Sequence, residues 1–389
     1  MNMSDMILPS VRNVPPSGIR RFFDLVNEMK DAISLSIGEP DFVTPWNVRE
    51  AGIYSLEKGR THYSPNAGFF ELREEICRYQ ERKYGLKYSP EDEVIVTVGG
   101  SEGIDIALRA LAGSGDEVII PEPCFVAYKP CTIFAGATPV VVNLSAENDF
   151  RLTPELLQRA ITDKTKVLIL PFPNNPTGAV MTESDLREIV NILKDKDIIV
   201  ISDEIYSELT YEGRHVSIAS FPEMKDKTLV INGFSKAFAM TGWRLGYCCG
   251  HKDLISAMYK IHQYAIMCSP TTAQYAGIEA LRNSDEDVEE MVREYNRRRR
   301  VMVDGYRKAG LECFEPLGAF YVFPCIKSTG LSSSEFSEML LVEEKVAVVP
   351  GTAFGECGEG YVRSCYASSM ENITEAMKRI QRFVKKYKK

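Results

Sequence analysis

The chain is poor in the features that would direct it to a membrane, a metal or a nucleic acid. Its longest apolar runs, such as 167–171 and 198–201, have only the length of a strand, whereas a helix crossing a bilayer needs roughly 20 apolar residues in succession. No transmembrane segment is therefore expected. A basic start, a long apolar stretch and a small-residue cleavage site do not follow one another near the amino end, so no secretory signal is expected either. Histidine is scarce, and the four present (His62, His215, His251 and His262) show no ligand spacing; no C-x-x-C occurs among the ten cysteines. These absences argue against a metal site. With no export signal, the cysteines read as free cytoplasmic thiols. Basic charge is outnumbered, 46 Lys and Arg against 54 Asp and Glu, for a formal charge of -8. General affinity for nucleic acid or anionic lipid would need the opposite balance. Two local exceptions, RRRR at 297–300 and the tail lysines Lys385, Lys386, Lys388 and Lys389, are expected to be solvated faces or ion pairs facing a second copy.

What is present is ordinary in bulk: hydrophobic residues make up 44% and charged residues 26% of 389, enough chain for two or three domains with a large core. From about 93 to 250, short β-branched runs over 93–98, 116–120, 138–144, 166–170, 198–202, 228–231 and 246–249 are interleaved with helical patterns over 102–111, 124–134, 154–160 and 183–193. That rhythm predicts an α/β fold, a large domain with a mostly parallel central sheet flanked by helices. Thr182 followed by Asp185 resembles a capping box. A long charged helix is expected over 285–309, and after it the rhythm changes to hairpin-like strands around 313 and 319–323, a helix near 333–343, strands near 346 and 361, and a last helix over 373–387. This second part predicts a smaller α+β domain. The first 45 residues, with one expected helix over 18–29, are too few to fold alone. The expected division is a large domain of 46–284 and a small domain formed by 1–45 with 285–389.

Chemistry is suggested by residues that follow strands. In NGFSKAFAMTGWRLG (232–246), Lys236 lies just past an apolar run and Arg244 follows eight residues later. Open α/β sheets place ligands at the carboxyl ends of their strands. A free lysine amine is mostly protonated at neutral pH, so reactivity there needs burial or a nearby cation, which Arg244 could supply. Taken alone, the pair is equally a solvated lysine and a surface arginine. Asp203 ends DIIVIS and opens DEIY, with Tyr206 three residues on. It is either a helix N-cap or a carboxylate held against a protonated heterocyclic nitrogen. PFPNNPTG (171–178) is turn chemistry in which Asn175 carries an amide able both to donate and to accept. GGSEG (99–103) opens a helix after a strand, where free amides and glycines suit an anion. Phe125, in PEPCFVAY, is expected to begin a helix and offers either a ring face to a flat ligand or an ordinary core side chain.

Six such segments in one order, from SIGEPDF at Ser36 through GGSEG, PEPCFVAY, PNNPTG, DEIY and FSKAFAMTGWRLG, followed by Arg363 in GYVRSCYAS, resemble the class I/II pyridoxal-phosphate-dependent aminotransferases of the aspartate aminotransferase fold group. The resemblance covers nearly the whole chain. It implies that Lys236 forms the Schiff base with pyridoxal 5'-phosphate and shuttles a proton, that Asp203 pairs with the ring nitrogen, and that Tyr206 and Asn175 bond the phenolic oxygen. It places Phe125 against the ring, the phosphate on the amides of Gly100, Ser101 and Glu102 with Ser235 and Arg244 beside it, and the substrate carboxylate on Arg363, Asn175 and Gly38. Tyr63, in GRTHYSPNAG, matches a tyrosine that reaches the neighbouring subunit's phosphate, which implies a homodimer with shared sites.

Three positions depart from the common pattern: Phe125 stands where many relatives carry Trp or Tyr, Gly233 where many carry a phosphate-binding Ser or Thr, and Ser101 where some bacterial aspartate enzymes carry a substrate-reading lysine. The expected activity is amino-group transfer from an L-amino acid to a 2-oxo acid by a ping-pong cycle. A β-eliminating C-S lyase on the same fold is the alternative. A non-catalytic regulator is disfavoured, because only about 35 residues precede SIGEPDF and the regulators on this fold carry an added DNA-binding domain.

Overall fold

The structure, a computed structural model, describes residues 3–16, 18 and 31–388. All but Gly18 of the helix expected over 18–29 lies outside the described residues. The strands are β1 (Ile33–Ser34), β2 (Val94–Thr97), β3 (Glu117–Glu122), β4 (Thr138–Asn143), β5 (Thr165–Leu170), β6 (Ile199–Asp203), β7 (Thr228–Gly233), β8 (Gly246–Cys249), β9 (Tyr321–Val322), β10 (Val346–Ala347), β11 (Val349–Pro350) and β12 (Val362–Cys365). Seven of them form one sheet in the order β2-β8-β7-β6-β5-β3-β4. Every pairing in it is parallel except the two made by β8, which runs against both β2 and β7.

A sheet covered on both faces has strands apolar on both sides. In β5, Val167 and Ile169 enter one core cluster with Ile104 and Leu108 of the Gly99–Leu111 helix, while Leu168 and Leu170 enter another with Ile189 and Leu193 of the Glu183–Leu193 helix. Each such side chain, nearly inaccessible to water, contributes roughly 1.5–3 kcal/mol by burial. The Glu183–Leu193 helix starts at a complete capping box, Thr182 accepting from the Asp185 amide and Asp185 from the Thr182 amide.

Helices Trp46–Glu57, Phe70–Tyr84, Lys252–Ala265 and Thr271–Asn283 also pack around this sheet or its edge. β1 pairs with β10, and β11, β12 and β9 form a three-stranded antiparallel sheet beside the Ser333–Glu344 and Met370–Tyr387 helices. Residues 311–317 are irregular, so the strand expected around Cys313 is not made.

The expectation for the arginine run needs correction as well. Along the Asp285–Lys308 helix Arg297 and Arg300 are exposed, but Arg298 and Arg299 are buried. Arg298 holds Asp41 at 2.7 Å and Glu294 at 2.9 Å. Arg299 donates to the Pro316 carbonyl at 2.7 Å. Four consecutive residues span more than one helical turn, so two of them must face inward. Lys385, Lys386 and Lys388 are exposed as expected, and Lys389 lies outside the described residues.

Candidate active site

The carboxyl ends of β2, β3, β5, β6 and β7, with the chain entering β8, surround a cavity of about 300 Å³. Of the expected site residues, Gly38, Gly100, Ser101, Phe125, Asn175, Asp203, Tyr206, Ser235, Lys236, Arg244 and Arg363 line it. Two do not. Glu102, expected to contribute its amide, is not among the lining residues, and its carboxylate meets the Val98 amide and His262. Tyr63 is 80% exposed on a loop held elsewhere. Phe125 sits in the loop after β3, three residues ahead of the Tyr128–Phe134 helix, and does not begin the helix as expected.

Lys236 lies three residues beyond β7, and its Nζ donates to the Gly38 carbonyl at 2.8 Å. Burial lowers its pKa to about 8, aided by the positive charges of Arg363 and Arg244 and opposed by Cys365 and Glu39. Desolvation is therefore the main cause and Arg244 a minor one. Near neutrality a useful fraction of the amine is unprotonated and nucleophilic.

Asp203, at the end of β6, is buried. Burial raises its pKa, while hydrogen bonds from Tyr128 Oη at 2.7 Å and the Ile205 amide at 3.2 Å favour the carboxylate. Tyr206 and Tyr321 share a hydrogen bond between hydroxyls at 2.7 Å. Opposite them, Arg363 of β12 donates through Nη1 to Asn175 Oδ1 at 2.9 Å and through Nη2 to the Ser36 carbonyl at 2.6 Å, with the Tyr321 ring 4.4 Å below its guanidinium. Its Nε is buried and has no hydrogen-bond partner among the described residues. Asn174 closes the preceding turn by bonding Pro123, Pro171 and Thr177, which leaves the neighbouring Asn175 amide directed at the cavity.

The start of the Gly99–Leu111 helix and Arg244 form the remaining corner. Gly100 is the second residue of that helix, and a Cβ there would meet no residue packed against the helix closer than 3.6 Å. The fold itself does not require glycine at this position. A Cβ would touch the Ile231 and Ile205 side chains at ordinary contact distance. At Gly99 the constraint is internal, because φ is +73° and a Cβ would lie 2.8 Å from Arg244 Nη2. Arg244 adopts φ of 54° and bonds the Thr241 carbonyl at 3.1 Å through Nη1 alone. The missing hydroxyl at Gly233 also has a packing reason: a Cβ would stand 3.0 Å from Gly246 Cα and 3.1 Å from Ile205 Cδ1.

Among the lining residues that the sequence reading did not assign are two tyrosines. Tyr128 lies three residues after Phe125 and could have been sought as a partner for Asp203. Tyr321 sits among apolar neighbours in GAFYVF and has no local signal. Among the described residues, no cluster of three or more His, Cys, Asp or Glu could hold a metal, and no helix is long and apolar enough to cross a membrane.

The profile of the family described as aminotransferase class I and II matches residues 30–380. The chain belongs to that family. It is 53% identical over 384 residues to the putative aminotransferase YugH of Bacillus subtilis, covering 99% of this chain and 100% of the relative. It is 47% identical over 378 residues to an aspartate aminotransferase of Pyrococcus abyssi, with 96% and 97% covered. Among solved structures it is similar to the aromatic aminotransferase of Pyrococcus horikoshii, with a TM-score of 0.90, 46% identity, and 94% and 99% of the chains covered.

As a pyridoxal-phosphate-dependent aminotransferase, this chain has residues that fit the cofactor. Among the described residues the Arg244 side chain bonds only the Thr241 carbonyl, through Nη1; its other donors and the amides at the start of the Gly99–Leu111 helix would take the phosphate, Asp203 the ring nitrogen, and the buried amine of Lys236 the aldehyde.

Proposed function

We propose that this aminotransferase transfers the amino group of an L-amino acid to a 2-oxo acid in a ping-pong cycle run by Lys236. The observation that carries the reading is one cavity holding a buried amine with a pKa near 8, a buried carboxylate and an arginine-amide clamp. The cofactor, when bound, supplies an electron sink for the bond broken at the substrate's α-carbon. Arg363 and Asn175 hold the α-carboxylate in a fixed plane, Lys236 takes and returns the α-proton, and Tyr128 and Ile205 keep Asp203 anionic. The relatives bear names for aspartate and for aromatic amino acids at nearly equal identity, so they do not choose between donors. The proposal includes the division into a cofactor-binding domain of 46–284 and a small domain of 1–45 with 285–389, which brings Gly38 and Arg363 to the large domain's site.

We further propose a cytoplasmic homodimer. The reducing compartment is supported by ten free cysteines. The dimer is supported by a surface on which Trp46, Ile53, Tyr54 and Leu56 of one helix stay 58%, 47%, 48% and 55% exposed, near the Tyr63 loop. So many outward apolar side chains suit an interface. The deciding experiment offers a panel of amino acids with several 2-oxo acids and measures keto acid and ammonia. Keto acid without ammonia is expected from wild type, and Lys236→Ala should lower turnover by roughly a thousandfold or more. Pyruvate with ammonia would replace transfer by elimination, and wild-type turnover in the variant would remove Lys236 from the mechanism.

A further inference from the structure

The resemblance gives the Glu102 amide a part in the phosphate site, and it leaves the carboxylate of the same residue without a role. One oxygen accepts from the Val98 amide, and the other faces Nδ1 of His262 at 2.5 Å. Nε2 of the same imidazole lies 2.9 Å from the Asn66 carbonyl. A carbonyl can only accept, so Nε2 carries a proton. A bare Nδ1 lone pair could not approach a carboxylate oxygen so closely, so a second proton lies between the two side chains. His262 and Glu102 are both screened from water, at 0% and 8% side-chain exposure.

The elements that deliver these groups favour their charges. Glu102 lies in the first turn of the Gly99–Leu111 helix, and His262 in the last turn of the Lys252–Ala265 helix. A helix start favours an anion and a helix end favours a cation. The first of these preferences has a second claimant, because the amides that would receive the cofactor phosphate belong to the same helical turn. An uncompensated Glu102 would satisfy that positive end from within and repel the incoming phosphate.

We propose that His262 is a positioning residue for cofactor binding: by compensating Glu102 it keeps the helix start electropositive for the phosphate, and through Asn66 it ties this turn to the loop that carries Tyr63. The inference rests on pyridoxal phosphate being the cofactor. It concerns a buried pair outside the cavity and acts only on the phosphate, not on the aldehyde or ring.

That restriction defines the test. The full-length chain, stripped of cofactor, is titrated with pyridoxal phosphate and separately with pyridoxal, which has no phosphate. In His262→Leu the dissociation constant for pyridoxal phosphate should rise roughly tenfold while that for pyridoxal stays within about twofold. Adding Glu102→Gln should restore phosphate-dependent binding, because the amide still accepts from Val98 but carries no charge. A leucine that merely disturbs packing would weaken both ligands and would not be rescued, and either result overturns the proposal. Should His262→Leu fail to fold, Glu102→Gln alone decides: pyridoxal phosphate must bind at least as tightly as to wild type, and weaker binding overturns it. Wild-type protein that binds neither aldehyde would instead sink the cofactor reading, and this inference with it.

Discussion

At the scale of single residues, burial sets the chemistry and short hydrogen bonds trim it. Lys236 has a folded pKa of about 8 against 10.5 for an ordinary lysine. Between those values the unfolded chain binds more protons at this site than the folded one, so stability of the cofactor-free protein should rise with pH across that window. Below about pH 8 the cost of burying the charged amine is fully present. Urea titrations of wild type and Lys236→Met should diverge there, with the methionine variant lacking this part of the rise; parallel curves would show that the lysine is not desolvated. Asp203 presents the opposite case, a carboxyl raised by burial and held back first by Tyr128. Tyr128→Phe should move the acid limb of the pH-rate profile upward and lower kcat about tenfold, the worth of one hydrogen bond to a charged group. An unmoved acid limb would mean that Tyr128 only fills space.

At the scale of elements, the sequence was readable wherever an apolar run meets turn chemistry. Lys236, Asp203, Asn175 and Gly100 all follow strand-like runs, and the structure gathers them at one sheet edge. The partners that tune them were not readable in that way, because they meet across the fold. Tyr128 and Asp203 are 75 residues apart, Tyr206 and Tyr321 115, and Glu102 and His262 160. Local pattern carries no trace of such pairs. The Trp46–Glu57 helix, over which the sequence reading makes no assignment, carries Trp46, Ile53, Tyr54 and Leu56 on its exposed face and so shows no clean polar stripe. The capping box at Thr182, by contrast, is wholly local. Thr182→Ala should cost about 1 kcal/mol of unfolding free energy with catalysis unchanged. Chemical denaturation and steady-state rates measured together check both halves of that statement.

At the scale of the whole molecule, the proposed second copy gives the exposed Tyr63 a role. Its loop is fastened by Gln274, which bonds Ser64 at 2.7 Å and the Phe69 amide at 2.8 Å, so the exposed ring stands on a fixed support. If it serves the neighbouring site, Tyr63→Ala and Lys236→Ala chains should each be nearly inactive alone. Refolded together in equal amounts they should recover about a quarter of wild-type activity, because half the dimers are hybrids and each hybrid has one intact site. Activity equal to the sum of the separate variants would show that the sites are not shared. The reversed strand β8 has its own consequence for the molecule's tolerance to change. Because it lies beside β7 and runs back along it, Lys236 and Arg244 belong to a single connection spanning one gap between neighbouring strands, about 4.8 Å wide. In the proposed cofactor site the eight-residue step between them would thus work as a ruler between the amine and the phosphate. Substitutions along it can be absorbed, but a residue inserted or deleted there would uncouple the grip on the phosphate from the chemistry at the lysine.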